Sequence, residues 1–240
     1  MEKNLNLWWM KKPRPGNFGD ILTPEVFTYF KIPFAYGKRN IDFISIGSIA
    51  TRASDQTVVL GSGIMNRTDI LNPNAQWRFV RGPETRNRVI ECGGKCPEIY
   101  GDPGLLLPLL CDESKKQFDV GIVPHLVDYA NIKEKCINDK VINLVNANPL
   151  TVAKEISKCR YIISSSLHGI IAAHAYGIPA AWVKFSNNLE GDDIKFIDYF
   201  KSVKKETKLS TLDDPVFSTG EVDILPIVKI FEDVKDEYSL

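Results

Sequence analysis

The stretch from Tyr161 to Val183 constrains the fold more than any other part of the chain. A short apolar run, Tyr161-Ile162-Ile163, leads into Ser164-Ser165-Ser166-Leu167-His168-Gly169. Apolar and small residues follow to Ala175, then Gly177, then a second apolar run, Ala180-Ala181-Trp182-Val183. That order reads strand, polar turn, helix, glycine stop, strand. A strand that returns through a helix belongs to a parallel sheet.

The same alternation runs through the rest of the chain. Strand-like runs are expected at 5–10, 42–46, 57–60, 76–80 and 98–100, and again at 118–123 and 141–145. Helical patterns are expected at 21–30, after Pro83, at 149–158, at 193–200 and at 224–234. Asp20 stands where an N-cap belongs. Cys111-Asp112-Glu113-Ser114-Lys115-Lys116-Gln117 is polar and charged between apolar runs, the composition of a linker. The expectation is an α/β protein with two Rossmann-like parallel-sheet domains facing a cleft, at 1–112 and 117–240, the second carrying the serine-rich turn. No internal repeat relates the halves. In open parallel sheets ligands bind beyond the carboxyl ends of the strands.

Composition narrows the function. Lys plus Arg and Asp plus Glu both number 30, for a formal net charge of zero. That balance argues against a general nucleic-acid binder. No run approaches the length of a membrane span, and the apolar run near Met1 is too short for a signal peptide. Five scattered cysteines suggest free thiols in a reducing compartment, hence the cytoplasm. Cys92-x-x-x-Cys96 has no second ligand pair nearby, so no metal is expected.

The serine-rich turn is suited to an anion. The first N–H groups of a helix lack internal partners and sit at the positive end of its dipole. Ser164, Ser165 and Ser166 add hydroxyls, and Gly169 permits close approach. His168 would stand beside the anion as a proton donor or acceptor; a serine-capped helix with a surface histidine fits the same spacing. His174, six positions on, points about 120° away from His168 and reads as a helix-side or interface residue. Gly61-Ser62-Gly63 offers backbone N–H groups after a strand, or is a plain turn. Arg81 follows a strand directly and suits carboxylate or phosphate. Arg86 fits the site or a solvated surface equally. Asp20 would cap its helix or meet a sugar hydroxyl, His125 borders the cleft or the linker surface, and Lys184 offers a point charge. Glu190, Asp192 and Asp193 read as a solvated acidic loop.

Taken in order, Gly16-Asn17-Phe18-Gly19-Asp20, Val80-Arg81-Gly82-Pro83-x-Thr85-Arg86, Gly101-Asp102-Pro103-Gly104, Ser164 to Gly169, Ala175-Tyr176-Gly177-Ile178-Pro179 and Lys195-Phe196-Ile197-Asp198-Tyr199 resemble the polysaccharide pyruvyl transferase family over about residues 4 to 202. The resemblance implies a glycosyltransferase-B-like pair of domains. It also implies transfer of the pyruvyl group of phosphoenolpyruvate to two hydroxyls of a sugar, with no cofactor. His168 matches the residue proposed as catalytic, and Arg81 matches the donor-binding arginine. Asp20 joins His168 as a catalytic candidate. Asn17, Gly61, Ser62, Gly63, Arg86, Ser164, Ser165, Ser166, Gly169 and Lys184 join Arg81 as substrate-binding candidates. One position departs: many members carry Arg immediately before Leu-His-Gly, where this chain has Ser166. Ser166 with backbone N–H groups suffices, or Lys184 or Arg86 replaces the charge, or the donor differs. The chain is also compact for the family.

The implied mechanism has His168, as imidazolium, protonate the methylene carbon of phosphoenolpyruvate. A glycan or lipid-linked saccharide accepts the pyruvyl group, and a lipid-linked acceptor would bring the protein to the inner face of a membrane without insertion. The alternatives are a nucleotide-sugar glycosyltransferase of the same architecture, a non-catalytic binder of acidic sugars, and a structural partner in glycan assembly.

Overall fold

The computed structural model describes residues 5–238. Met1–Asn4 and residues 239–240, which include the outer ends of the expected domains and the start of the segment read for a leader, lie outside the described residues. Two parallel sheets of five strands each organise the chain, as the alternating pattern predicts. The first comprises β1 (Leu5–Trp8), β2 (Phe34–Tyr36), β3 (Phe43–Ile44), β4 (Val58–Leu60) and β5 (Gln76–Phe79), in the order β2-β1-β3-β4-β5. The second comprises β6 (Phe118–Val123), β7 (Lys140–Val141), β8 (Cys159–Ser164), β9 (Ala180–Val183) and β10 (Leu209–Ser210), in the order β10-β9-β8-β6-β7. Counted from its own first strand, each sheet has the doubly wound order 2-1-3-4-5. Its direction of winding reverses between the first and third strands, and that switch point is where such sheets open a crevice.

The helices are α1 (Phe18–Tyr29), α2 (Pro83–Glu91), α3 (Leu107–Leu110), α4 (Tyr129–Lys135), α5 (Pro149–Ser157), α6 (Leu167–Ala175), α7 (Ile194–Ser202) and α8 (Leu225–Tyr238), with a 3-10 turn at Pro103–Leu106. Strand faces follow the two-residue period. Ala180 and Trp182 join the main core, while Ala181 and Val183 join Ile163 on the opposite face.

Several local expectations need correction. α1 begins at Phe18, and Asn17 rather than Asp20 is its N-cap. Asp20 falls at the third helical position and accepts a hydrogen bond from Asn17 Nδ2 at 2.8 Å, a side-chain version of the capping box. The run at 98–100 makes only a single bridge, Val80 to Tyr100. The strand expected at 141–145 ends at Val141, because the chain turns away through Leu144 and Val145 to meet α1. There the Phe18 N–H donates to the Leu144 carbonyl (2.8 Å) and the Asn146 N–H to the Gly16 carbonyl (3.0 Å). β2, β10 and α4 carry no period long enough to read from sequence.

The halves are not joined by the linker alone. α1 and the Pro103–Leu106 turn pack against α5 and α6, and one apolar core runs from Phe27 and Phe43 through Leu105 and Ile171 to Ile162 and Phe196. The chain then crosses back. α7 packs on α2, and α8 sets Phe231 against Phe27, Phe30 and Phe79. Phe231 is fully buried, the class of side chain whose truncation costs about 3–5 kcal/mol.

Candidate active site

The two switch points face each other. The loops after β1 and β3 bring Met10, Lys12, Gly47, Ser48 and Ile49. The loops after β6 and β8 bring His125, Leu126, Val127, Ser166, Leu167 and His168. Together with Asn17 and Asp20 of α1, Met65, and Asn188, Glu190 and Lys195 of the α7 approach, they enclose a cleft of about 350 Å³.

His168 occupies the second position of α6, directly after the strand end. Its ring lies against the backbone of α1 at Gly19. A Cβ built there would stand 2.1 Å from His168 Nδ1, so only glycine admits the ring. This gives the second glycine of Gly-Asn-Phe-Gly-Asp a physical role: the first half makes room for the histidine of the second. His168 keeps 15% of its side-chain surface exposed, while Nε2 is buried and without a partner.

Asp102 is the group that Nε2 faces. Its Oδ1 accepts the Gly104 N–H at 2.8 Å. Its Oδ2 is buried, unpartnered, and 3.8 Å from His168 Nε2. A buried polar atom left unsatisfied costs about 1–3 kcal/mol, so two such atoms facing one another mark a place where stability is given up. Burial pushes the Asp102 carboxyl up to about 6 and the His168 imidazole down to about 4. Burial also raises Asp20, against the pull of its Asn17 hydrogen bond. Desolvation by the surrounding protein therefore disfavours charge on all three groups.

The serine-rich turn divides its labour. Ser164 Oγ donates to the Val123 carbonyl (2.7 Å) and accepts from Ser166 N–H (3.0 Å). Ser165 Oγ accepts from His125 N–H at 2.8 Å and reaches Asp128. Both serines are buried and hold the loops together. Ser166 caps α6 without a side-chain hydrogen bond of its own and lines the cleft. Gly169 lies against Ser164 Oγ, where a Cβ would come within 2.4 Å.

Arg81 is fully buried. Nε donates to Asp198 Oδ2 (3.0 Å), Nη1 to Ser48 Oγ (2.8 Å) and Nη2 to the Ile64 carbonyl (2.7 Å). Asp198, on α7, also accepts from Thr85 N–H (2.9 Å) and Thr85 Oγ1 (2.7 Å). It thereby caps α2, whose own N-cap is the bare Gly82. A Cβ on Gly82 would stand 2.0 Å from the Asp198 carbonyl oxygen. The motif Arg81-Gly82-Pro83-x-Thr85 is thus a socket for one carboxylate, and the guanidinium sits behind the Ser48 wall of the cleft. Because Arg81 donates to Ser48 Oγ, the Ser48 hydroxyl proton remains available toward the cleft.

The Gly61-Ser62-Gly63 turn braces that wall from behind. Ser62 Oγ donates to the Gly47 carbonyl at 2.9 Å, Gly61 (φ +84°) abuts Pro103, and Gly63 abuts the Arg81 guanidinium. Arg86 turns outward to the Cys96 carbonyl (3.1 Å) and Glu98 (3.1 Å). Lys184 pairs with Asp193. Neither Arg86 nor Lys184 lines the cleft.

Lys195 does. It is buried, and its Nζ donates to the Glu190 carbonyl at 3.2 Å. Burial lowers its pKa, with Arg81 adding to the effect. His125 is lowered by burial and by Lys195. Sequence reasoning left Asp102, Lys195, Asp198 and Ser48 without roles. The first three lie inside motifs quoted above, and that was their only signal. His174 is a core residue, bonded to Tyr199 Oη and the Ser218 carbonyl at 3.0 Å each. Among the described residues no cluster of three metal-ligating side chains occurs, and no helix is long and apolar enough to cross a membrane.

Comparison with known proteins gives the family. An uncharacterized protein of Acanthamoeba polyphaga mimivirus is 37% identical over 170 residues, which is 67% of this chain and 59% of that protein. The succinoglycan biosynthesis protein ExoV of Rhizobium meliloti is 26% identical over 202 residues, 78% of this chain and 62% of that protein. The chain therefore spans about three fifths of the length of these relatives. A family model for polysaccharide pyruvyl transferase matches residues 5–187, taking in both switch points, Gly19, Asp102 and the His168 turn, and on that match the chain belongs to the polysaccharide pyruvyl transferase family.

Proposed function

We propose that the cleft binds phosphoenolpyruvate and transfers its pyruvyl group to two hydroxyls of a saccharide, as a cyclic ketal, with release of phosphate. The observation that carries this reading is a histidine near the buried Asp102 and the half-buried Asp20 at the mouth of a helix N-terminus, with a buried lysine across the cleft. The α6 N–H groups and Ser166 supply donors for one anionic group, and Lys195 supplies a charge for the other. Lys195 takes the place of the arginine that many family members carry at the position of Ser166.

Burial holds the His168 imidazole down at about 4, which favours the neutral form near pH 7. Phosphate and carboxylate set beside it raise its affinity for a proton, so the acid forms when the donor binds. The imidazolium gives its proton to the methylene carbon, and positive charge develops at the central carbon. The first sugar hydroxyl adds there, returning its proton to His168. The bond from that carbon to the phosphate oxygen then breaks, with the electron pair leaving on phosphate. The second hydroxyl closes the ketal, and its proton departs with phosphate. General acid–base help of this kind is worth about 10²–10⁴ in rate.

The decisive assay follows phosphate release from phosphoenolpyruvate with a panel of saccharide and lipid-linked acceptors. Acceptor-dependent release, reduced about 10²- to 10⁴-fold in His168→Ala, is expected. Stabilisation by nucleotide diphosphates but not by phosphoenolpyruvate in thermal shift would instead indicate glycosyl transfer. Donor binding should also take up a proton at pH 6 to 7, seen as a dependence of calorimetric heat on buffer ionisation enthalpy. Binding with no proton uptake would remove His168 as the acid.

A further inference from the structure

We infer that Asp102 is the positioning residue for His168: its Oδ2 receives the imidazole proton on Nε2, which leaves Nδ1 as the atom that works on the substrate. The inference rests on the pyruvyl-transfer reading for what the substrate is, and on geometry alone for the pairing.

Each half of the pair has nowhere else to go. Asp102 Oδ1 is occupied by the Gly104 N–H, and Oδ2 is buried with no hydrogen-bond partner among the described residues. His168 Nε2 is likewise buried without a partner. The two lie 3.8 Å apart, a separation that tightens to a hydrogen bond with a small closure of the cleft, as catalytic contacts do when a ligand arrives. The other carboxylate near the ring, Asp20 on α1, is held by Asn17. The remaining charges that face the imidazole are Arg81 after β5, Lys195 on α7 and His125 after β6. Asp102 faces Arg81 and Asp198. Arg81 and Lys195 have no acceptor for the Nε2 proton, and His125 uses its Nδ1 to accept the Val127 N–H at 3.5 Å. The ring packs on the Gly19 backbone, and of its two nitrogens only Nε2 is among the buried, unpartnered atoms.

An aspartate in this position fixes the tautomer and steadies the imidazolium as it forms. With the proton held on Nε2, the Nδ1 lone pair points to the acceptor. The hydroxyl proton passes to Nδ1 as the new carbon–oxygen bond forms, and the same nitrogen gives its proton to the methylene carbon in the donor step. Asp102 stays ionised while His168 is charged.

Nitrogen-15 NMR of histidine-labelled protein at pH 7.5, with the resonances assigned through His168→Gln, reads the tautomer directly. Wild-type protein should show His168 protonated on Nε2. Asp102→Asn should shift the tautomer toward Nδ1 and lower kcat for phosphate release about 10²- to 10⁴-fold, with donor KM held within about threefold. A wild-type proton on Nδ1, or an Asp102→Asn tautomer identical to wild type, overturns the pairing. If the variant does not fold, the wild-type spectrum decides. A spectrum as expected from a protein that releases no phosphate from phosphoenolpyruvate leaves the pairing intact and refutes the function.

Discussion

A histidine can move protons in one direction when its two nitrogens meet different surroundings, and His168 has that asymmetry: Nε2 is buried toward Asp102, while Nδ1, packed beside Gly19, is not among the buried, unpartnered atoms. Lys195 shows the complementary logic for charge. Among the described residues, the only oxygen acceptor within hydrogen-bond reach of this buried ammonium is the Glu190 carbonyl; the ammonium is under-satisfied, and an incoming anion supplies what it lacks. Lys195→Met removes the charge but keeps the apolar stem. Donor KM should rise about ten- to a hundredfold, the range of one charged hydrogen bond, while kcat changes little. An unchanged KM would place the donor elsewhere. The departure at Ser166 made a compensating cation foreseeable. Its identity was not, because Lys195 lies 29 positions further along and reaches the cleft only through the docking of α7.

At the scale of elements, α1 is where the halves depend on each other most closely. Its first turn supplies Asn17 and Asp20 to the cleft, and its Gly19 receives the His168 ring. In an isolated helix Gly19→Ala would be stabilising by about 1 kcal/mol. Here the added methyl meets the ring at 2.1 Å and pushes it from its seat. The expected result is a well-folded protein with kcat reduced at least tenfold and donor binding largely kept, measured by phosphate release beside circular dichroism. Full activity would show that His168 works from another position. The sequence pattern located α1, α5 and α6 well, because each carries two or more turns of regular apolar spacing. It misplaced the start of α1, since Asn17 and Asp20 are both good caps and the choice depends on where the preceding loop meets the Leu144 carbonyl. It missed β2 and β10, edge strands of three and two residues, which are too short for a period to register.

The whole molecule is closed by a single buried carboxylate. Asp198 is bound by Arg81 and by Thr85 across 117 and 113 positions of sequence, and it fastens α7, with Lys195, to the first sheet. Removing one partner of a buried pair strands the other charge, at about 3–5 kcal/mol. Asp198→Ala should therefore lower Tm by roughly 6–20 °C for a chain of this size and weaken donor binding with it; a Tm within 2 °C of wild type would show that the pair contributes nothing net. Arg81 read from sequence is a strand-end arginine suited to an anion. In the fold its anion is Asp198, and its influence on the cleft passes through Ser48.

The sequence by itself determined the alternation of strand and helix, the parallel sheets, the polar loops at strand ends and the family, because these rest on local periodicity and on short motifs in fixed order. Only the tertiary structure decided which motif residues meet. That Gly19 seats His168, that Asp102 faces Nε2, and that Asp198 occupies Arg81 are all contacts between segments far apart in the chain. Burial and partnership arise when two switch points close on each other, and no local pattern records them.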